Sequence, residues 1–154
     1  MMRLLMAATA CALAFAGAAS AQDYNATPNY GDITLAPGFT PDPYLVSLRA
    51  GGDMSASNAG SGCSGYITRA PDYRLNWSGK GSLNLKISVL SKADTTLVVN
   101  GPNGEWYCDD DTGEDNNPLV TLGSQAGRYE IWVGTYSSSS PAPAVLSISE
   151  LANF

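Results

Sequence analysis

The sequence predicts an all-β protein: one antiparallel β-sandwich, or a jelly-roll-like relative of it, behind a signal peptide. Three observations lead there. Short runs of alternating apolar and polar residues recur along the chain. Turns rich in Gly, Pro, Asn and Asp separate them about every 8–12 residues, the spacing of small sandwiches and jelly rolls. After the first 21 residues, no stretch carries the 3.6-residue apolar period of a helix.

Arg3 gives the start of the chain a positive charge, and residues 4–19 form an almost unbroken apolar run. Ala19-Ser20-Ala21 fits the small-residue rule for signal cleavage, with Gln22 as the new N-terminus. The run is short for a membrane span and no second one follows, so the product is expected to be secreted or periplasmic, without stable membrane insertion. Cys11 falls within the discarded run. Removing 21 of the 154 residues leaves 133, the length of one domain. It also removes Arg3, taking the net charge from −6 to −7.

The chain has no His. That excludes Ser-His-Asp triads, Cys-His dyads, His-ligated zinc and imidazole pH switches. An acidic chain is a poor partner for nucleic acid, whose nonspecific binding rests on Lys and Arg. Cys63 and Cys108 are the only Cys after the signal, and two Cys in an exported chain most simply form one disulfide.

Residues 22–40, with Thr27-Pro28-Asn29 and Pro37-Gly38, read as a loosely ordered leader holding one short edge strand at 33–35. The domain is expected over 41–154. Tyr44, Val46 and Leu48 alternate with Leu45, Ser47 and Arg49 until Gly51-Gly52 ends the strand. Residues 53–64 are small and polar, a loop ending at Cys63. Short strands follow at 65–68 and 73–77. Leu83, Leu85, Ile87 and Val89 alternate with polar residues, as in a half-buried strand. Residues 94–99 and 105–108 pair as a hairpin around Asn100-Gly101-Pro102-Asn103-Gly104. Strands at 119–122, 128–136 and 145–149 complete the pattern.

The hairpin resembles a known family. Asp94-Thr95-Thr96-Leu97-Val98-Val99, then Pro102-Asn103-Gly104, then Trp106-Tyr107-Cys108-Asp109-Asp110-Asp111 is similar to the hallmark of bacterial pre-peptidase C-terminal domains, or PPC domains. Gly127-Arg128-Tyr129-Glu130-Ile131-Trp132-Val133 matches the family's later Gly-x-Tyr strand. The resemblance covers about 82–150 and extends toward Tyr44. It implies a small noncatalytic β-sandwich, usually attached to a secreted protease, with members that bind calcium, collagen or other polymers. Here the residues after the signal are expected to form the PPC-like unit by themselves, without an attached protease domain, and Cys108 stands in the second hairpin strand.

Five carboxylates, Asp109, Asp110, Asp111, Glu114 and Asp115, crowd within seven residues. Hard oxygen ligands on a loop suit Ca²⁺, and Gly113 would let the backbone turn among them. The alternative is a solvated hairpin end that keeps the protein soluble. Asp111-Thr112-Gly113 spells the aspartic-protease tripeptide, but that chemistry needs two facing carboxylates in an apolar setting. Ser91 and Lys92 are strand neighbours and point to opposite faces, which does not suit a shared proton.

Alternation puts Tyr129, Ile131 and Val133 on one face and Glu130, Trp132 and Gly134 on the other, which Glu130 marks as wet. Tyr107 opposes Trp106 and Cys108, whose disulfide favours the inside. Tyr107 and Trp132 are therefore the candidate ligand-binding aromatics, able to stack on a sugar or fill a partner's pocket. The alternative is that both rings simply cover the sandwich edge. The expected function is a noncatalytic exported module, with calcium as its candidate stabilising ion, that contacts a protein or polysaccharide. The alternatives are a protease-associated accessory factor or hydrolase, and a structural envelope protein.

Overall fold

A computed structural model describes residues 22–137 and 139–152. The predicted signal peptide and Cys11 lie outside the described residues. The strands, in chain order, are β1 (Asp32–Leu35), β2 (Tyr44–Ala50), β3 (Met54–Ser55), β4 (Tyr66–Ile67), β5 (Tyr73–Trp77) and β6 (Leu85–Leu90). They continue with β7 (Thr95–Asn100), β8 (Trp106–Asp109), β9 (Leu119–Leu122), β10 (Gly127–Thr135) and β11 (Ala142–Ser149). One 3-10 turn, Ala56–Asn58, follows β3. Among the described residues no helix is long and apolar enough to cross a membrane.

Two sheets form the sandwich. The smaller runs β2-β11-β6-β9, antiparallel throughout. The larger is built on the long strand β10. β5 pairs with its first half and β4 with its end, while β7 pairs along its other edge and carries β8 outside. β1 adds parallel to β5, and β3 adds to β4. The alternation read from the sequence supplies the central core. Leu85, Ile87 and Val89 of β6 meet Leu97 and Val99 of β7, Tyr129, Ile131 and Val133 of β10, and Leu146 and Ile148 of β11.

A second core lies on the outer face of the larger sheet, and it overturns the expectation of a wet face there. Ala56, Cys63, Ile67, Val98 and Trp132 bury one another, with Ala59, Trp106 and Cys108 packed alongside. Residues 53–64, expected to be a plain loop, fold back with Gly65 over β7 and β10 as β3, the 3-10 turn and the approach to β4. Glycines permit the close approach: a Cβ at Gly52 would lie 2.1 Å from the Ile67 carbonyl, and one at Gly134 would lie 2.6 Å from the Tyr66 carbonyl. The Cys63–Cys108 disulfide staples this flap to β8.

The N-terminal leader is also bound rather than loose. Gln22 is buried and donates to the Ser55 carbonyl, and the Asn29 and Tyr30 amides donate to the Pro71 and Asp72 carbonyls. Arg74 Nη2 donates to the Ala26 carbonyl, and Arg128 Nη2 to Asn25 Oδ1. Both arginines also hold Glu130, at 2.5 and 2.9 Å. Glu130 is therefore buried under cations and the leader. Burial raises its pKa, against hydrogen bonding and charge from Arg74 and the charge of Arg128.

Asp72 shows how the leader is locked down. Its Oδ2 accepts from the Val133 amide at 2.8 Å and its Oδ1 from Asn29 Nδ2 at 3.0 Å. Burial pushes this carboxyl from 3.8 to about 6, outweighing hydrogen bonds from Val133, Asn29 and Thr68 that pull it down. The folded state thus holds the proton more tightly than the unfolded chain. The stability this adds is complete below pH 3.8 and is lost as pH rises through about 6. The change across that window is about 3 kcal/mol. Chemical denaturation between pH 4 and 7 is expected to show that decline in the wild type and to lose most of it in Asp72→Asn. An equal decline in both would remove Asp72 as its source.

Candidate functional site

The sequence-derived residues separate into three places. Trp132, expected to be exposed, is fully buried in the outer core, its ring centroid 5.4 Å from that of Trp106. It is a packing residue and offers no surface to a ligand. The alternation was read correctly, but the face it identified is covered by the 53–65 flap.

Tyr107 stands differently. It pairs with Val99 across the β7–β8 hairpin, and its half-buried ring leans on the central core. Trp106 and Cys108 point the other way, into the outer core, so the inside expected for them is that of the second layer. The Tyr107 hydroxyl accepts from Asn103 Nδ2 and donates to Glu105 Oε2, both at 2.9 Å. Gly101 leaves room for the ring, since a Cβ there would lie 3.1 Å from Tyr107 Cε2.

Tyr107 lies between two clefts on one flank of the sandwich, where edge strands β8 and β9 face each other. The first, about 350 Å³, is walled by residues 80–84, the β7–β8 turn and residues 122–125. The second, about 430 Å³, is walled by residues 60–63, β8 and the Leu119–Thr121 part of β9. Ser124, which sequence reasoning passed over, fixes the first cleft. Its Oγ accepts from Trp77 Nε1 and from the Gly81 amide, each at 2.8 Å, and so ties two walls to the core. The Tyr129 hydroxyl donates to the Gln125 carbonyl and holds the same loop. A wider groove of about 850 Å³ crosses the smaller sheet near Leu90, Pro143 and Val145. Its walls are mainly apolar, with few polar groups to orient a ligand.

The acidic loop is held from inside. Asp109 Oδ2 accepts from the amides of Thr112 and Leu119, and Oδ1 accepts from the Thr112 hydroxyl. Asp110 accepts from Ser64 at 3.2 Å. The left-handed backbone falls on Asp115 and Asn116, residue types that tolerate it, rather than on Gly113. Asn117 is the buried anchor: Oδ1 accepts from Thr95 Oγ1 at 2.7 Å, and Nδ2 donates to the Ser91 carbonyl at 3.1 Å. Burial raises the pKa of Asp94, and the nearby charges of Asp111 and Asp110 add to the rise.

Asp109, Asp110, Asp111, Glu114 and Asp115 are therefore not gathered into one donor set. Among the described residues no three His, Cys, Asp or Glu side chains come together as a metal ion requires. Millimolar Ca²⁺, compared with chelator, is expected to leave the melting temperature unchanged. A rise of several degrees would restore calcium.

No protein-family model and no curated protein matches the chain. Solved structures similar to it include the following two. One is the pre-peptidase C-terminal domain of a collagenase from Bacillus anthracis, at TM-score 0.48 and 14% identity over 81% of this chain and 100% of that one. It comes from the family that the Asp94–Gly113 hairpin resembles. The other is a periplasmic inhibitor of g-type lysozyme from Aeromonas hydrophila, at TM-score 0.39 and 15% identity over 77% of this chain and 96% of that one.

Catalytic arrangements find little support in the geometry. Ser91 Oγ donates to the Pro143 carbonyl at 2.8 Å and accepts from the Ala93 amide, so it caps a turn. Asp111-Thr112-Gly113 lies in the exposed acidic loop, not in an apolar dyad.

Proposed function

We propose that this chain is an exported, noncatalytic binding module whose ligand site is the β8/β9 flank centred on Tyr107. The partner is an extracellular or periplasmic protein or polysaccharide. The observation that carries this reading is the placement of Tyr107: an aromatic ring at the junction of two clefts, with its hydroxyl held by Asn103 and Glu105. A positioned aromatic with a polar tip is the usual anchor of a recognition surface. Export is supported by the disulfide, which belongs to oxidising compartments. The absence of His and the turn-capping role of Ser91 favour binding over catalysis.

Retention of purified protein on the insoluble matrix of its native culture tests the reading. Tyr107→Ala is expected to elute much earlier than wild type while keeping a cooperative unfolding transition. Unchanged retention of a folded Tyr107→Ala protein would overturn the assignment.

A further inference from the structure

We infer that the β8/β9 flank takes a linear, uncharged saccharide chain, an inference that rests on the Tyr107 assignment and names its ligand class. The two clefts share Tyr107, and their walls follow β9 from Leu119 through Leu122 to Gln125, so the depression is elongated rather than a closed pocket. An elongated depression fits several units of a chain. The lining then decides its chemistry.

Asn84, Gln125 and Ser82 are exposed on the walls of the first cleft, which Tyr107 also lines. A side-chain amide offers donors and an acceptor side by side, and a sugar hydroxyl is both donor and acceptor, so an amide can bridge neighbouring hydroxyls. The ring offers an apolar surface to the C–H face of a pyranose. Charge excludes the anionic polymers. Among the described residues Lys80 is the one cation lining either cleft, while Asp109 lines the second and Glu105 holds the Tyr107 hydroxyl, on a chain of net charge −6. Ser124 and Tyr129 fix the walls beforehand, so little ordering is needed on binding. The competing occupant of this flank is an extended peptide adding to the edge of β8 or β9.

Titration calorimetry on the exported protein distinguishes these occupants. The probes are cellohexaose, chitohexaose, an oligogalacturonate of the same length, and a Thr/Val-rich decapeptide able to add as a strand. At least one neutral hexasaccharide is expected to bind, and to bind about tenfold tighter than the oligogalacturonate or the peptide. Tyr107→Ala should weaken that binding about tenfold, and Tyr107→Phe, which keeps the ring, by no more than about threefold. Asn84→Ala with Gln125→Ala, two exposed changes that spare the core, should weaken it with no change in melting temperature. The inference is overturned if neither neutral sugar binds, if the peptide or the oligogalacturonate binds better, or if the Asn84/Gln125 variant binds like wild type. If no sugar binds but Tyr107→Ala still loses matrix retention, the saccharide class fails alone. If Tyr107→Ala is also retained normally, the site itself fails.

Discussion

Trp132→Ala is expected to lower stability by about 4 kcal/mol, the usual cost of emptying a buried tryptophan site. The ring has no exposed surface and fills the space between β10 and the 53–65 flap, against Trp106, Val98 and Ile67. Removing it leaves a void that these neighbours cannot close, because the flap is fixed at one end by Gly52 against Ile67 and at the other by the disulfide. The sequence pattern alone predicts the opposite, loss of ligand binding with no loss of stability. Denaturant unfolding separates the two. A midpoint unchanged within error would mean that Trp132 is exposed after all.

Breaking the disulfide by Cys63→Ser with Cys108→Ser is expected to cost a further large amount, again about 4 kcal/mol. The bond closes a separation of 45 residues, and that loop includes β4 to β7. Constraining it limits the unfolded chain, and in the folded state the bond also ties the flap to β8 beside the second cleft. For a domain of this size the loss corresponds to a fall of about 15 °C in melting temperature. Amide exchange should accelerate first over residues 53–65, with β6 and β11 still protected. A uniform loss of protection would mean that the outer layer is not a separate unit.

The strands themselves were legible. Tyr73–Trp77 and Leu119–Leu122 coincide with their predicted limits, because alternation and flanking turns mark a strand whose two faces differ. The leader and the outer layer were not legible. Alternation separates the faces of β10 but does not reveal that a second layer covers the polar one. A trace of that layer was present in β7, where Thr95–Val99 is buried on both faces and lacks alternation. That is the pattern of a strand covered on both sides. Glu130 misled for a related reason: a carboxylate signals water until two arginines and the leader enclose it.

The candidate site was legible in part. Tyr107 stands out from its place in the hairpin, but its two clefts depend on β9, which is distant in sequence. Ser124 carries no local signal, because its role is to join Trp77 and Gly81 across the end of the sandwich. The acidic loop was legible as a cluster, but its internal hydrogen bonding was not. A count of carboxylates does not show that Asp109 is already occupied by the amides of Thr112 and Leu119.

The most direct test of the Tyr107 flank as the binding surface is a map of backbone amide shifts on adding solubilised fragments of the native matrix. The account predicts shifts confined to residues 80–84, 101–109 and 119–125, and their loss in Tyr107→Ala. Shifts that instead fall on β2 and β11, with the Tyr107 flank unmoved, would contradict it.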